Sequence, residues 1–531
     1  MMQTHKTLSK VLVVCLTLVM MVSMFVANTS AIDDTDKGTI TVSGVEDDVT
    51  VSAYRLMDVT YDYTADQPVQ PVYTWTNAVA GWVRENNPTY IGAENDNSVQ
   101  PAFSTAQTDA IAAFYDALAA AIKSGELTVH SVDRTGSGDI ENLPMGNYLI
   151  LIENGMRVYR PSAVNLIPEW NAESEVWEIT SPAQVEVKSS ELTIEKTVRA
   201  PGTETGKESD NANIGDTITY DILVDVPQFP TNALVKNYAV SDILPAGLTR
   251  TEDPILVYGV KSGEPESPLI QNTHYTQGTT RPSSGSISTF TLTFDYTQIQ
   301  TYEKIHIQYT ATLNGSAELG ETGNVNTAYL DYSNNPYTEE SWKSQDDSAT
   351  IYTYGLNIDK VDGDDNAVFL AGAEFSLYTS QENAEGKNSP VLFIRESEGV
   401  YRKALENEEG TAALTVGSGE NGSTKGNLVL KGLDETTWYL VENRAPDGYN
   451  LLNAPVSITI TDTKENTLDG KVTDADIVTG LVPLTVENDN GFQLPVTGGM
   501  GTVLFTAAGV VLMGAGAVLF FILRKKKKAE R

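Results

Sequence analysis

Cysteine and histidine are scarce in this chain. Its 531 residues contain one cysteine, Cys15, and four histidines. A single thiol leaves no internal disulfide, although disulfides often stabilise exported proteins. The same scarcity disfavours zinc sites built from Cys and His and a Cys–His nucleophile, so no metal site and no cofactor are expected. Stabilisation of the folded chain must therefore have another origin.

Basic residues are also few. Lys and Arg number 35 against 71 Asp and Glu, which gives a net charge of −36 at pH 7. Binding to nucleic acid or anionic lipid needs clustered positive charge, so no nucleic-acid partner is expected. The sequence also lacks a P-loop, a nucleotide-binding fingerprint and a Ser-His-Asp pattern. An enzyme that acts on an external substrate is therefore not indicated.

The N-terminus has the composition of a secretory signal peptide. A basic start with His5, Lys6 and Lys10 precedes an apolar run over residues 11–26, and small residues follow to Ala31. This order is typical of a signal that is removed on export. We expect cleavage after Ala31, which makes residues 1–31 the signal peptide. A retained anchor helix is the weaker interpretation, because the apolar run is short.

A second apolar run lies near the C-terminus. About twenty apolar residues over 503–523 are long enough to cross a bilayer, and a basic run over 524–528 gives a cytoplasmic stop. The pentapeptide directly before the span consists of Leu494, Pro495, Val496, Thr497 and Gly498. Together, the three parts of residues 494–531 closely resemble the cell-wall sorting signal of Gram-positive bacteria. The resemblance implies that a sortase cleaves between Thr497 and Gly498 and transfers the Thr497 acyl group to an amine.

Between its two ends the chain is predicted to form three domains, over residues 32–187, 188–353 and 354–493. Runs such as TITYDILVDV and KIHIQYTATL alternate apolar and polar residues with the period of a β-strand. Many short strands at regular spacing predict a mainly β fold of tandem antiparallel, immunoglobulin-like sandwiches. One helix is expected in the first domain, where Ser104 and Gln107 form a capping box before apolar residues at helical spacing.

Six charged or amide residues fall on the apolar faces of predicted strands. They form two sets in the same chain order: Lys196, Asp242 and Asn326, then Lys360, Glu442 and Asn488. In each set the lysine is near the first strand of its domain, the acid in the middle and the asparagine on the last strand. A buried charge is costly unless it is paired. The simpler interpretation is strand-end residues whose polar heads reach water, but two complete sets favour a function.

Several segments resemble Gram-positive pilins. WYLVENRAPDGYN (Trp438–Asn450) resembles the E-box of pilins and of Cna B-type domains, and NGFQLPVTGG resembles the way such pilins end. YAVSDILPAGLT and GNVNTAYLDY resemble segments of the pilin middle domain. The resemblance covers essentially the whole chain and is weakest in the first domain. It implies a sortase-assembled major pilin with Cna B-type domains, the shaft subunit of a pilus.

In that family, Lys and Asn side chains join spontaneously into intramolecular isopeptide bonds. The resemblance implies two bonds with their assisting acids: Lys196–Asn326 with Asp242, and Lys360–Asn488 with Glu442. The residue types suit this chemistry. Burial lowers the pKa of a lysine and leaves a neutral, nucleophilic amine. Burial also keeps a carboxylic acid protonated, so that it can polarise the Asn carbonyl and help ammonia leave.

The family's pilin motif supplies the lysine that receives the acyl group of the next subunit. The motif is a Trp followed by Val-x-Val-Tyr-Pro-Lys. The matching stretch here begins at Trp177 and ends in VEVK, which places Lys188 at the linking position. Glu186 and Val187 replace the motif's Tyr and Pro, and Ser189 replaces its usual Asn.

Strand alternation separates the two candidate acceptor lysines. Val185 and Val187 share one face and Lys188 lies on the other, so Lys188 is expected to be exposed to solvent, as an intermolecular acceptor must be. Lys236, in the run ALVKNYAV, is the rival candidate. It shares a face with Leu234 inside the middle domain, and it therefore ranks below Lys188.

The resemblance implies a structural shaft subunit of a covalent pilus that supports adhesion and colonisation. Its partners would be a sortase, identical subunits, minor pilins, peptidoglycan and a host receptor, and its location would be the cell wall and pilus. The chain would be no enzyme beyond forming its own internal bonds. Two alternatives stay open: a monomeric wall-anchored adhesin and a minor pilin at the pilus base. Lys188 distinguishes the first alternative, because a monomer needs no acceptor.

Overall fold

The computed structural model describes residues 35–62, 69–171, 173, 176–179, 182–338, 341–420, 422–461, 479–490 and 511–519. The predicted signal peptide and the pentapeptide Leu494–Gly498 lie outside the described residues. Of the predicted membrane span over 503–523, the structure describes residues 511–519, which are helical. Within the described ranges, no helix combines the length and the apolar character needed to cross a membrane.

The N-terminal part of the chain combines two sheets with a helical layer. Its strands are β1 (Lys37–Ser43), β2 (Thr50–Asp62), β3 (Val69–Trp75), β4 (Ser131–Thr135), β5 (Gly138–Pro144), β6 (Gly146–Glu153), β7 (Val158–Tyr159), β8 (Ser162–Leu166), β9 (Pro168–Asn171), β10 (Val176–Ile179), β11 (Ala183–Glu186) and β12 (Ser189–Ser190). The larger sheet has the order β3-β2-β6-β8 with β4 beside β2, and the smaller has the order β11-β1-β5. Two short pairs, β9 with β10 and β7 with β12, complete this part.

Three α-helices pack on the N-terminal sheets, where the sequence predicts one. They are α1 (Asn77–Asn86), α2 (Pro101–Ser104) and α3 (Thr108–Lys123). The predicted capping box was wrong, because Ser104 ends α2 and its hydroxyl donates to the Pro101 carbonyl oxygen. Helix α3 begins four residues later, behind Gln107, which makes no side-chain capping bond. The helices bury Trp75, Phe114 and their neighbours in one aromatic-rich cluster.

The middle part is a sandwich of two six-stranded sheets. Its strands are β13 (Ile194–Arg199), β14 (Ser209–Asn211), β15 (Thr217–Asp225), β16 (Tyr238–Ile243), β17 (Leu248–Arg250), β18 (Leu256–Val260), β19 (Ser267–Pro268), β20 (Tyr275–Thr280), β21 (Ile287–Phe294), β22 (Lys304–Leu313), β23 (Asn324–Tyr332) and β24 (Lys343–Tyr352), with the short helix α4 (Tyr296–Ile299). One sheet has the order β13-β15-β22-β18-β19 with β17 beside β22, and the other has the order β14-β24-β23-β16-β21-β20. Strict alternation in β15 and β22 directs every second side chain into one core between the sheets.

The third part is a smaller sandwich. Its elements are β25 (Tyr354–Asp362), β26 (Glu374–Tyr378), α5 (Gln381–Gly386), β27 (Phe393–Ser397), β28 (Val400–Lys403), β29 (Leu414–Thr415), β30 (Asn427–Leu433), β31 (Thr437–Arg444), β32 (Val456–Thr459) and β33 (Leu481–Asn488). The two sheets have the orders β27-β28-β30-β25-β33 and β29-β26-β31-β32. Trp438, Phe375 and Leu356 are buried between them.

The mainly β, tandem-sandwich fold that the sequence predicts is confirmed, with one refinement of strand direction. Most neighbouring strands are antiparallel, but β1 with β11, β14 with β24, β25 with β33 and β28 with β30 run parallel. Parallel neighbours need a long crossover connection. For β25 and β33 that connection is the remainder of the third sandwich, so the first and last strands of this sandwich lie side by side.

The N-terminal and middle parts each bury a side chain in the hydrophobic cluster of the other. Tyr337, in the loop after β23, is buried in the N-terminal helical cluster, and Val158 of β7 is buried in the cluster of the middle sandwich. Asn334 donates a 2.6 Å hydrogen bond to the carbonyl oxygen of Gly155. The two parts therefore pack against each other. The boundaries at residues 187 and 353 remain a prediction.

Candidate functional site

The six residues that the sequence singles out are all buried. Their exposed fractions are between 0% and 2% for Lys196, Asp242, Asn326, Lys360, Glu442 and Asn488. Lysine and carboxylate side chains are almost never fully buried unless they are paired. The interpretation that these are strand-end residues reaching water is therefore wrong for both sets. The structure gathers them into two clusters, one in the middle sandwich and one in the third.

The first cluster lies between the two sheets of the middle sandwich. Lys196 projects from β13 of one sheet, and Asp242 and Asn326 project from the neighbouring strands β16 and β23 of the other. The sequence predicted that Asn326 would lie on the last strand of its domain. It lies on the penultimate strand instead, because β24 follows it. The sequence of β24, KSQDDSATIY, is mostly polar and alternates only weakly, so the sequence pattern did not identify it as a strand.

A tyrosine hydroxyl occupies the centre of the first cluster. Lys196 Nζ donates to Asp242 Oδ2 and, at 3.2 Å, to the Tyr309 hydroxyl. That hydroxyl donates to Asp242 Oδ1 at 2.8 Å, and Asn326 Nδ2 donates to it at 2.6 Å. Lys196 Nζ also lies 5.1 Å and 5.5 Å from the ring centroids of Tyr220 and Tyr309. The amine thus lies against the faces of two aromatic rings.

Burial shifts the two ionisable partners of the first cluster in opposite directions. It lowers the pKa of Lys196, against the attraction of Asp242. It raises the pKa of Asp242, against the attraction and the hydrogen bond of Lys196. Both shifts favour the pair in which the amine is neutral and the acid carries the proton. A neutral amine is the form that can attack a carbonyl carbon.

The second cluster uses a different topology. Lys360 of β25 and Asn488 of β33 lie on adjacent parallel strands of one sheet, and Glu442 projects toward them from β31 of the facing sheet. In the strand register, Lys360 pairs with Val486 and Asn488 pairs with Asp362. Strand alternation places Lys360 and Asn488 on the same inward face.

Glu442 contacts the asparagine amide directly in the second cluster. Its Oε2 accepts hydrogen bonds of 2.9 Å from Asn488 Nδ2 and from the backbone N–H of Leu452. Lys360 Nζ donates to the carbonyl oxygens of Val486 at 2.9 Å and Val361 at 3.3 Å. Burial lowers the pKa of Lys360 to about 8, against the attraction of Glu442 and two other carboxylates. The lowered pKa increases the neutral fraction of this amine near neutral pH.

Both asparagine side chains have a buried carbonyl oxygen without a hydrogen-bond partner in the part of the chain that the structure describes. These atoms are Oδ1 of Asn326 and Oδ1 of Asn488, and Oε1 of Glu442 shares this condition. Buried acceptors without donors are costly.

The two candidate acceptor lysines differ in exposure. Lys188 follows β11 and is exposed, while Val185 and Val187 beside it are buried, as strand alternation predicts. Lys236 precedes β16 and is half-buried, and its Nζ donates a 3.0 Å hydrogen bond to the carbonyl oxygen of Thr231. Lys188 is therefore the more accessible of the two amines.

Sequence reasoning missed Tyr309, although a signal for it was present. Tyr309 lies on β22 with Ile305 and Ile307, and all three face the core. A tyrosine hydroxyl on an apolar face needs a hydrogen-bond partner, just as the lysine and the acids do.

In the described ranges, no group of three or more His, Cys, Asp or Glu residues is arranged to hold a metal ion.

Three family models match separate parts of the chain. A model of the Gram-positive pilin backbone subunit 2, Cna-B-like domain, matches residues 214–336. The SpaA model, a prealbumin-like fold domain, matches residues 355–474, and the LPXTG cell wall anchor motif matches residues 486–530. The first range contains Asp242 and Asn326, and the second contains Lys360 and Glu442. The anchor motif locates the protein at the cell surface.

Known relatives extend the match over most of the chain. The trypsin-resistant surface T6 protein of Streptococcus pyogenes serotype M6 is 24% identical over 97% of this chain and 99% of its own length. Fimbrial subunit type 1 of Actinomyces viscosus is 26% identical over 60% of this chain and 62% of its own. The solved structure of the T6 backbone pilin superposes with a TM-score of 0.55 at 18% identity, covering 87% of this chain and 99% of that one.

Proposed function

We propose, from the confirmed resemblance of its sequence to Gram-positive backbone pilins, that this chain is the structural shaft subunit of a covalently polymerised surface pilus. The observation that carries the proposal is the recurrence of a buried Lys–acid–Asn cluster in two successive sandwiches. The exposed Lys188 and the pentapeptide Leu494–Gly498 supply the two ends of a polymer linkage. The relatives are named as surface, fimbrial and pilin proteins, which agrees with this role.

Internal bonds would replace the disulfides that the chain cannot form. Lys196 would join Asn326 with help from Asp242, and a second bond would join Lys360 to Asn488 with help from Glu442. In each bond the lysine nitrogen attacks Cγ of the asparagine, the asparagine Nδ2 leaves as ammonia, and an amide links the strands. The lowered lysine pKa values and the raised pKa of Asp242 support this reaction.

The polymer would grow through the C-terminal signal. A sortase would cleave between Thr497 and Gly498, hold the acyl group of Thr497 and pass it to the amine of Lys188 on the next subunit. The exposure of Lys188 supports its role as acceptor, since the enzyme must reach the amine. The last transfer would link the assembled fibre to peptidoglycan. Minor pilins and a host receptor would be further partners in adhesion and colonisation.

The second candidate function is a monomeric wall-anchored adhesin, and a minor base pilin is the third. The same domains and the same anchor suit all three. The three candidate functions differ in whether, and how, copies of the chain are covalently linked to one another. A shaft subunit gives a series of products of increasing mass, a monomer gives one wall-linked species, and a base pilin is attached without repeating.

An immunoblot of cell-wall extracts from the native host, boiled in detergent, tests the proposal. We expect a high-mass ladder from the wild type and a single species from Lys188→Ala. Lys236→Ala is the matched control and should keep the ladder. A ladder that persists in Lys188→Ala but is lost in Lys236→Ala would keep the shaft role and move the acceptor. A single wall-linked band from the wild type would contradict the shaft role and favour the adhesin.

A further inference from the structure

The hydroxyl of Tyr309 contacts all three members of the first cluster. It accepts from Lys196 Nζ at 3.2 Å, accepts from Asn326 Nδ2 at 2.6 Å and donates to Asp242 Oδ1 at 2.8 Å. Two of these atoms, Nζ and Nδ2, are the nucleophile and the leaving group of the proposed internal bond. The hydroxyl therefore lies between the atom that must lose a proton and the atom that must gain one.

Among the residues that the structure describes, no hydroxyl takes this place in the second cluster, and the acid contacts the asparagine itself. Glu442 bonds Asn488 Nδ2 directly at 2.9 Å. In the first cluster, the described contacts of Asp242 are with Lys196 and Tyr309, and its link to Asn326 passes through the tyrosine. Aspartate is one methylene shorter than glutamate. The Tyr309 hydroxyl bridges the distance between Asp242 and Asn326 that the shorter side chain of Asp242 does not cover.

We propose that Tyr309 is a catalytic proton relay for the Lys196–Asn326 bond, carrying a proton from Asp242 to the departing nitrogen of Asn326. This inference rests on the proposed function, because it concerns the formation of one of the two internal bonds. It adds a residue to the chemistry of the first cluster and predicts that the two bonds form by different proton routes.

Every proton transfer in the relay joins two atoms that are in contact in the cluster, and the two hydrogen bonds of the Tyr309 hydroxyl to Asp242 Oδ1 and Asn326 Nδ2 reverse their direction during the reaction. Lys196 Nζ, neutral after giving a proton to Asp242, attacks Cγ of Asn326, and the carbonyl electrons move to Oδ1. The proton that Asp242 took from Lys196 moves from Oδ2 to Oδ1, and the Tyr309 hydroxyl turns from Oδ1 toward Nδ2. The remaining extra proton on Nζ then passes to Oδ2 while Oδ1 gives its proton to the Tyr309 oxygen. The Tyr309 proton moves to Nδ2, the Cγ–Nδ2 bond breaks, and ammonia leaves as the carbonyl re-forms. Tyr309 ends protonated, as it began, and Asp242 ends with the one proton that it gained from Lys196.

The surroundings hold the phenol in place and in its neutral form. Tyr309 is buried, and its ring stacks on Tyr220 with centroids 5.4 Å apart and packs edge-on against Phe290 at 5.0 Å. Burial, together with the negative charge of Asp242, raises its pKa well above the ordinary value. The hydroxyl therefore keeps its proton and can pass it on only as it receives another.

Tyr220 provides a matched control variant. It is as buried as Tyr309, stacks on it and also lies under the Lys196 amine. Its hydroxyl lies near Asn326 but makes no hydrogen bond of normal geometry to the described residues. Tyr220→Phe and Tyr309→Phe therefore remove the same group from equivalent rings, and only the second removes the link between Asp242 and Asn326.

A pulse-chase measurement follows both bonds in one molecule. The full chain is made in a host without sortase, recovered in detergent at successive times, denatured in acid and digested with trypsin. Mass spectrometry then gives the fraction of Lys196–Asn326 and Lys360–Asn488 cross-linked peptides. We expect Tyr309→Phe to slow the first bond by about 100-fold or more, the usual contribution of a proton-transfer group. The second bond should form at the wild-type rate in Tyr309→Phe. Tyr220→Phe, which keeps its ring against the amine and leaves the contacts of Tyr309 with Asp242 and Asn326 intact, should slow the first bond far less than Tyr309→Phe does.

The outcomes separate this inference from the proposed function. A wild type that forms neither bond overturns both. A wild type that forms both bonds, with Tyr309→Phe forming the first equally fast, overturns the relay alone. If Tyr309→Phe fails to fold, 3,5-difluorotyrosine at position 309 keeps the shape and makes the hydroxyl more acidic. A changed rate of the first bond, with the second unchanged, supports the relay, and an unchanged rate overturns it.

Discussion

Lys360 and Asn488 lie on adjacent parallel strands, two register positions apart, with Lys360 paired to Val486 and Asn488 paired to Asp362. A bond between them would join the first and last strands of the third sandwich and close a loop of more than a hundred residues. Loop closure on this scale reduces the entropy of the unfolded chain and stabilises the fold by roughly 4–5 kcal/mol.

Lys360→Met should abolish this bond while keeping an apolar stem in the core. We expect the variant to retain one ammonia more than the wild type and to lose roughly 4–5 kcal/mol in the free energy of unfolding of the third sandwich. Intact mass and denaturant titration measure the two effects. Lys431→Ala, which removes a partly exposed lysine of the same sheet, should change neither bond count nor stability appreciably. Equal ammonia loss in Lys360→Met and wild type would contradict the assignment.

Tyr337 should stabilise the packing of the N-terminal and middle parts. Its ring is buried in the N-terminal helical cluster although it belongs to the loop after β23. Removal of a buried aromatic ring costs about 3–5 kcal/mol. We therefore expect Tyr337→Ala to lower the free energy of unfolding by about that amount and to speed proteolysis within residues 37–190, as followed by mass spectrometry of the fragments.

The hydroxyl of Tyr337 provides the control for that experiment. It is buried without a hydrogen-bond partner in the described part of the chain. Tyr337→Phe keeps the ring and removes the unpaired group, so it should leave stability unchanged or raise it by about 1 kcal/mol. If Tyr337→Phe destabilised the protein as much as Tyr337→Ala, burial of the ring would not be the cause.

His306 should give the middle sandwich a pH-dependent stability. Its Nε2 lies 3.0 Å from Asp221 Oδ1 and its Nδ1 lies 3.1 Å from Glu266 Oε1. The hydrogen bond to Asp221 is the main cause of a raised pKa, and burial opposes it. A raised histidine pKa stabilises the fold fully below the unfolded-state value near 6.5, and this contribution is lost as pH rises through the folded-state pKa.

His306→Gln tests that dependence. We expect the variant to be less stable than the wild type at about pH 5.5 and equally stable at about pH 9, with a difference of about 1 kcal/mol or less because the group is partly exposed. Thermal unfolding across this range is the measurement. His274→Gln, at the surface of the same sandwich, is the control. A constant difference between wild type and His306→Gln at all pH values would contradict a role for the imidazolium charge.

Asp434 should destabilise the fold at neutral pH. Burial, together with the nearby carboxylates of Asp216, Glu435 and Asp210, raises its pKa to about 6. The folded state therefore prefers the protonated acid, and stability falls as pH rises from the unfolded-state value of 3.8 to about 6. Asp434→Asn should raise the free energy of unfolding by about 1–2 kcal/mol at pH 7, after allowance for its partial exposure.

The same variant should have little effect at about pH 3.5, where Asp434 is protonated in both states. Chemical denaturation at the two pH values measures the difference. Asp447→Asn, on an exposed loop of the same sandwich, serves as the control for loss of one negative charge. A gain in stability from Asp447→Asn as large as that from Asp434→Asn would show that general charge reduction, rather than burial of Asp434, is responsible.

The positions of the cluster residues could be predicted because strand alternation is a local property. Lys196 alternates with apolar neighbours in β13, and Glu442 follows Trp438 and Leu440 at two-residue steps on β31. A one-residue shift would expose the whole apolar set, so the inward direction of these side chains is strongly determined. The same reasoning placed Lys188 outside, and the structure agrees.

Other features depend on contacts between distant parts of the chain. Tyr337 lies in a loop whose sequence gives no sign of its burial against N-terminal helices. Helix α1 was missed because its buried residues Val79, Ala80 and Val83 are few and small. The central role of Tyr309 requires β13, β16, β22 and β23 to be assembled, and the faces of single strands cannot show which side chains meet across a sandwich.

The parallel pairing of β25 and β33 also determines how the third sandwich bears a stretching force. The chain enters this sandwich at the start of β25 and leaves it at the end of β33, and these two points lie at opposite ends of the paired strands. A pull along the chain therefore slides one strand past the other and loads all the hydrogen bonds of the pair in shear at once. Two antiparallel neighbours that are pulled apart from the same end would instead lose their hydrogen bonds one after another.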